Sequence, residues 1–547
     1  MIRRTVLVAV SAALLACRGA APQPSPDPLA AAEAAFLEAR TGADRINVRQ
    51  GRGEPWSDLL PGYRTARQRA LAAIAAVDTL ALPAADRVAF RAMAEVATAR
   101  LLLDPAPVVG EGGETTAVSC QYDPTTLLRN GGAPALAARI MVCYGREATR
   151  IPYQGRVLDR LTIFGLLGTT ADRAERERLF RALGPVWQSV NGDNTPTASP
   201  WRALLAARAA GWREASLPHI DRARALGVPP DSVETWLERV LSAWRAAQAD
   251  TVLEPWDWYY YTGAASRVLE SRVPKSGLLR LNDQWYRRLG ADPAALRIQY
   301  DVEPREGKYP VAYTTFGARP HLASGEWDPG SPYISAAYRI GGLDNLVELL
   351  HETGHAIHIA GIRTRPAWAD WPDSDTFTEA VADLASHDAF EPRWQVMMLG
   401  DSVSLAEGLR GKYGGVVLDM AWALFEIRMF RAPGQDPNRV WADVTGRYLQ
   451  IRPHPEWSWW AMRGQLIESP GYLLNYAMGG VLTAALRDRI ASERGSWLAG
   501  DAGWYPWVRD RLFRFGASRP AAEVVRAFLG APLTPQAILA DLSRGKG

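Results

Sequence analysis

The chain is poor in the residues that most often carry chemistry. It has 3 cysteines and 7 histidines in 547 residues. Cys17 lies near the N-terminus, and Cys120 and Cys143 stand 23 positions apart. None is spaced like a thiolate metal site or set beside a histidine as a nucleophile would be. In an oxidising compartment Cys120 and Cys143 could pair; the spacing alone leaves that open. Charge of one sign is lacking too. With 62 basic and 59 acidic residues the net charge is +3, and neither sign forms a long run. That excludes the basic footprint of a nucleic-acid binder. Beyond the N-terminus no stretch of roughly 20 apolar residues runs uninterrupted, so no transmembrane helix is expected. Internal repeats are absent. What is plentiful is apolar content, 48% of the chain, enough to bury a large core in one big domain or two lobes.

The N-terminus is organised differently. Met1-Ile-Arg-Arg-Thr is a short basic start, and residues 6–16 are apolar over the length of a signal-peptide core. The stretch ends in Leu14-Leu15-Ala16-Cys17. This looks like a bacterial lipoprotein signal over 1–16, with Cys17 as the lipidated first residue and the Pro-rich stretch to residue 28 as a tether (17–28). An ordinary secretory signal cut nearby is the alternative. Either way export is expected, to the cell envelope on the periplasmic or extracellular side, and residues 29–547 form the folded part.

Against this scarcity of histidine, two of the seven fall in one pentad, His351-Glu352-Thr353-Gly354-His355. On a helix, positions i and i+4 share a face, so both imidazoles point at one spot. Glu352 points to the side, where it could take a proton from a water that a metal activates. Glu379 follows 24 positions after His355, room for a helix end, a loop and a second helix. Glu379 and Asp383 are again i and i+4. A set of His351, His355 and Glu379 with an open fourth position is the catalytic zinc pattern rather than the closed structural one. Asp383 is then the natural partner for the free ring N–H of a ligand histidine. The bland reading is a buried helix with two satisfied histidines.

The neighbours of the pentad sharpen the pattern. The extended motif HExxHxxGxxH would need glycine at position 358 and histidine at 361; the chain has His358 and Gly361. His358 reads as a supporting polar residue near the site, since a fourth protein ligand would close it. Gly354 in a helix interior is unfavourable by about 1 kcal/mol relative to alanine. It implies either the close approach of a neighbouring strand or a tolerated packing glycine. His387, four after Asp383, reads as a surface pair with it, and His219 and His454 have no ligand spacing to the pentad. Trp457-Ser-Trp-Trp460 reads as core or interface packing, with a binding surface as the alternative.

Periodicity predicts helices over 63–77, 84–102, 134–144, 156–167, 173–190, 199–210, 231–249 and 257–271, and again from 376 to the C-terminus. Between 297 and 339 the period changes, and 298–302, 309–315 and 333–339 read as short strands. Asn345 with Glu348 is a possible capping box opening the pentad helix, and Gly361 a possible stop. The class is mainly α, with a small β-sheet beside the pentad helix and a substrate channel between two helical lobes.

These residues resemble a known family. Segment 341–358 (GGLDNLVELLHETGHAIH) is similar to the active-site helix of the thimet-oligopeptidase and oligoendopeptidase F family of gluzincin metallopeptidases. Glu254-Pro-Trp-Asp-Trp-Tyr-Tyr260 resembles its WD-x-YY segment, and Gly471-Tyr-Leu-Leu-Asn-Tyr476 its tyrosine segment. His321-Leu-Ala-Ser-Gly-Glu-Trp327 resembles the segment ahead of the zinc helix in angiotensin-converting-enzyme-like dipeptidyl carboxypeptidases. The resemblance covers scattered motifs from 254 to 477. It implies a helical peptidase with a deep channel acting on short peptides, one Zn2+ held by His351, His355 and Glu379, and Glu352 as general base. It further implies Tyr476, with Tyr472 possible beside it, as donor to the oxyanion, and His321 and the Ala323 backbone as holders of the substrate. The chain departs from the family in one place: 463–470 (RGQLIESP) lacks the histidine that usually precedes the tyrosines. Arg463 or Gln465 substitutes for it, or transition-state stabilisation is weaker and the protein is a peptide-binding pseudoenzyme. Endopeptidase and dipeptidyl carboxypeptidase action both fit these residues.

Overall fold

Several helix starts along this chain are set by an Asp or Ser side chain that accepts from the first-turn N–H groups. The computed structural model describes residues 29–100, 118–214, 216–248, 251–305, 308 and 311–546; the leader and tether expected over 1–28 lie outside them. The described chain is mainly α. Helix α1 spans Ala30–Gly51, α2 Leu60–Ala75, α3 Ala84–Arg100 and α4 Pro124–Thr149. The expected helix at 134 begins ten residues earlier as α4. The Asp123 carboxylate accepts from the Thr125 and Thr126 N–H groups, and the chain kinks at Gly132 ahead of Pro134. Cys120 and Cys143 form a disulfide that ties α4 to the segment before it.

The helix expected over 156–167 is displaced by a hairpin, β1 (Ile151–Tyr153) and β2 (Arg156–Leu158). Its two turn residues, Gln154 and Gly155, both have positive φ, which suits a two-residue hairpin turn. The helix itself runs Arg160–Thr169, capped by Asp159. The expected 173–190 helix breaks at Leu183, with Gly184-Pro185 opening the second piece, and 257–271 breaks at Gly263. The three expected strands appear as β3 (Gln299–Asp301), β4 (Tyr313–Thr315) and β7 (Tyr333–Ser335). β7 is central, parallel to β3 and antiparallel to β4. A separate hairpin, β5 (His321–Ala323) with β6 (Glu326–Asp328), lies between them in sequence.

The pentad helix spans Leu343–Gly361 and stops at the expected glycine. The expected capping box does not form: Gly342 precedes the helix without a side-chain cap, and Asn345 Nδ2 instead donates to the Ile340 and Gly341 carbonyls. The acid helix, Asp375–Ser386, is capped by Ser374 Oγ accepting from the Phe377 N–H. It lies so close to the pentad helix that a Cβ on Gly354 would sit 2.3 Å from the Ala382 carbonyl oxygen. The close approach at Gly354 is therefore made by a helix, not by the expected strand. The tyrosine helix, Leu473–Arg494, packs on the other side of the acid helix. Thr376 Oγ1 donates to Asn475 Oδ1 at 3.0 Å and Thr483 Oγ1 to the Ala380 carbonyl at 3.1 Å.

Two main cores divide the described residues. The large one takes in both the pentad helix and the acid helix, and a small one joins α1, α2 and α3. A buried ion pair, Arg40 with Asp370 at 2.6 Å, and a half-buried one, Arg365 with Glu33 at 2.8 Å, connect the small core to the loop between the pentad and acid helices. Among the described residues no helix is long and apolar enough to cross a membrane.

Candidate metal centre

Three ligand atoms converge where the pentad helix meets the acid helix. His351 Nε2 lies 3.1 Å from His355 Nε2 and 3.4 Å from Glu379 Oε2, and His355 Nε2 lies 4.0 Å from Glu379 Oε2. Ligands of a tetrahedral ion at zinc distances stand about 3.3 Å from one another. The donor set fits such an ion. His351 Nδ1 sits 2.7 Å from Asp383 Oδ1, so its ring N–H points to the carboxylate and Nε2 is left as the lone pair. Two imidazole nitrogens facing each other at 3.1 Å call for a proton or a cation between them.

Electrostatics point the same way. Burial alone would push His351 down, but Asp383, and then Glu379, hold it well above its ordinary value. The pocket favours a positive charge at that point. Burial and the neighbouring His351 push His355 down to about 4, which keeps its imidazole neutral as a ligand must be. Asp383 is held well below the carboxylate range: burial opposes this, and His351 and His387 outweigh it. Ser386 Oγ also donates to Asp383, at 2.8 Å. His355 Nδ1 is buried without a hydrogen-bond partner, so only one ligand imidazole has an anchoring carboxylate.

Glu352 is not part of the triangle. It is buried beside it, and burial pushes its carboxyl up to about 7. Thr314 Oγ1 on β4 lies 2.6 Å from its Oε2. Thr314 went unread in the sequence; the period-2 pattern of 309–315 marks a strand there but not which side chain faces the pentad helix.

Tyr476 lies one turn before Gly479, whose Cβ position is 3.8 Å from Glu379 Cβ, and Glu379 raises the Tyr476 hydroxyl after burial does. Its ring stands edge-on to Tyr472 with centroids 5.5 Å apart. Arg463 pairs with Asp419 and places its guanidinium 5.7 Å from the Tyr476 ring centre. Of the two candidates for the missing histidine's place, Arg463 is thus the one seen against the tyrosine. Arg222 lies over Tyr472 at 5.0 Å. His321 and Ala323 sit on the β5–β6 hairpin, outside the three-stranded sheet. His321 Nδ1 meets the Arg319 carbonyl at 3.1 Å, and no hydrogen bond joins it to the pentad among the described residues.

Several other sequence readings are revised. His358 is no polar support. It is wholly buried among Trp371, Phe377 and Phe513 with neither ring nitrogen hydrogen-bonded, and burial pushes it down to about 3. His387 does lie beside Asp383, at 3.7 Å, but buried rather than on the surface. His454 stacks on Trp457 and pairs with Glu254 at 2.8 Å, while Asp257 pairs with Arg176 at 2.7 Å. The acids of the WD-x-YY-like segment thus serve packing. Trp459 and Trp460 are buried in the large core.

No family model matches the chain, and no curated protein matches it. Solved structures do. One is a candidate oligoendopeptidase F, at 16% identity over 89% of this chain and 84% of that one, with a TM-score of 0.55. PZ peptidase A with an inhibitor gives 13% identity over 94% and 96%, TM-score 0.54. The M32 carboxypeptidase of Deinococcus radiodurans R1 gives 14% over 94% and 98%, TM-score 0.54. At these identities the likeness is one of fold, and it runs through nearly the whole length of both chains.

Proposed function

We propose that this protein is an exported zinc metallopeptidase that hydrolyses peptide bonds in short peptides. The observation that carries the reading is the triangle of His351, His355 and Glu379, with a buried carboxylate, Glu352, beside it and outside it. A zinc ion in the triangle would supply a Lewis acid for the scissile carbonyl and bring a water's pKa down to about 7. Glu352 takes a proton from the attacking water as the water oxygen bonds to the carbonyl carbon. It then delivers the proton to the leaving nitrogen as the C–N bond breaks. Tyr476, beside Glu379, is the side chain for the developing oxyanion, worth about 3 kcal/mol if it donates there. Among the described residues β4 is the outer strand of its sheet and touches Glu352, which suits the alignment of an extended peptide across the site. The peptidases that share the fold support the assignment.

Export and a lipid on Cys17 rest on the N-terminal sequence, and the Cys120–Cys143 disulfide fits an oxidising compartment. One observation favours a second reading, a metal-retaining peptide binder with little turnover: an arginine paired to Asp419, not a histidine, backs Tyr476.

The test joins metal analysis with mass spectrometry of peptide products before and after chelation, on wild type and Glu352→Gln. One zinc per chain in both, with hydrolysis lost in the variant, is expected. Equal cleavage by the two proteins refutes the role of Glu352. Tight peptide binding without products from zinc-loaded wild type selects the binder.

A further inference from the structure

A general base has to be aimed as well as present, and the pentad helix does not aim Glu352 by itself. Among the described residues the only hydrogen bond to the Glu352 carboxylate comes from Thr314. Thr314 Oγ1 lies 2.6 Å from Oε2 and 2.9 Å from the carbonyl oxygen of the same residue. One hydroxyl proton thus faces two acceptors. The shorter contact is the one to the charged group, as expected of a charge-assisted bond. Thr314 is held firmly: it stands opposite Ile334 of the central strand β7, and Tyr333, Ile334 and Ser335 there are fully buried. Oε1 takes no hydrogen bond from the described residues.

Resting on the peptidase reading, we propose that Thr314 is a positioning residue: its hydroxyl holds Oε2 of Glu352 and leaves Oε1 to meet the water and the departing amine. The residue acts through Glu352 and touches no reacting atom. Because the hydroxyl is mounted on the sheet and the base on the helix, the sheet sets the carboxylate's orientation independently of the ligand imidazoles on either side of it. A competing role is purely architectural: the same hydroxyl bonding the Glu352 carbonyl and pinning helix to strand.

The test uses Thr314→Val, which keeps the β-branched shape that suits a strand but has no hydroxyl, and Thr314→Ser, which keeps the hydroxyl. A hydrogen bond to a charged group is worth about 1.5–3 kcal/mol, so kcat of the zinc-loaded T314V should fall about 10- to 100-fold. KM and zinc stoichiometry should stay as in wild type, and T314S should stay within a few-fold of it. Crystal structures supply a readout that needs no activity. The Glu352 carboxylate should leave its place in T314V and keep it in T314S. A carboxylate that stays put in T314V overturns the proposal, and so does a T314S that loses kcat as T314V does. If zinc-loaded wild type releases no products, the peptidase reading fails, while the carboxylate position in T314V still decides the role of Thr314. If T314V does not fold, the T314S arm decides: kcat and carboxylate position kept there support the hydroxyl's role, and their loss overturns it.

Discussion

Replacing Gly354 by alanine sets two effects of known sign against each other. In an exposed helix the change would stabilise by about 1 kcal/mol, because alanine is the better helix former. Here the new Cβ would lie 2.3 Å from the Ala382 carbonyl oxygen, 2.8 Å from its Cα and 2.9 Å from its carbonyl carbon. Ordinary contact begins near 3.4 Å, so the acid helix would have to withdraw by about an ångström. All three atoms are backbone in mid-helix, and no rotamer can relieve them. Overpacking of this kind costs about 1–3 kcal/mol, which outweighs the propensity gain. The larger consequence falls on the site, because Glu379 travels with the acid helix and metal–ligand distances tolerate only about 0.2 Å. Gly354→Ala should therefore lower zinc affinity at least about tenfold and lower the Tm of the zinc-free protein as well. A chelator-competition titration and calorimetry with and without zinc measure the two. Gly415→Ala is the matched control. That glycine is exposed within Leu405–Arg431 with nothing within 4 Å of its Cβ position, so it should gain about 1 kcal/mol. A G354A protein as stable as wild type with undiminished zinc affinity would refute the packing argument.

Two further outcomes follow from carboxylates, one half-buried and one buried. Asp383→Asn removes the charge 2.7 Å from His351 Nδ1 and should weaken zinc binding about 10- to 100-fold by competition titration; unchanged affinity would show that Asp383 does not support the ligand. Glu426 is buried, and burial pushes it up to about 8 against the opposing Gly471 N–H and Arg222, so the folded protein holds a proton there that the unfolded chain has lost. Its contribution is complete below the ordinary carboxylate pKa and is lost as pH rises toward 8, on the order of a few kcal/mol. Urea unfolding at pH 5 and pH 8 should show wild type losing more stability over that interval than Glu426→Gln; parallel losses would contradict the assignment.

The sequence showed most where ligands share a helix. His351, His355, Glu379 and Asp383 fall into two i, i+4 pairs, and helical geometry alone predicts that each pair shares a face. The end of the pentad helix at Gly361 and the three strands around it were readable from local pattern as well. Thr314 was not, because its contact with Glu352 depends on how a strand lies across a helix, which no local pattern encodes. Gly354 announced a close approach but not the partner, since helix and strand backbones are equally short of space. His358 shares the helix face of His351 and His355 but lies about a turn further along, where that face enters an apolar cluster of Trp371, Phe377 and Phe513 instead of the metal triangle. The hairpin turn at Gln154-Gly155 fell between two expected helices, and its strands are only three residues each, too short for an alternating pattern to mark them.

The least legible part is the brace between the two ligand helices. Residues 362–374 join the pentad helix to the acid helix, so the position of Glu379 relative to the histidines depends on that loop. It is held by charges from far away in sequence. Arg40 bonds Asp370, and Arg319 bonds Asp44 at 2.8 Å and the Ala369 carbonyl at 2.6 Å. All four charged side chains are nearly closed off from solvent. Burying such pairs adds little net stability, because desolvation offsets the attraction. Breaking one is different: the partner is left as an uncompensated buried charge, so alternative placements of the loop are strongly disfavoured. The arrangement gives the loop one position rather than a more stable one, which is what a site with ångström tolerances requires. The α1 helix, with no residue in the metal triangle, thereby helps set its geometry.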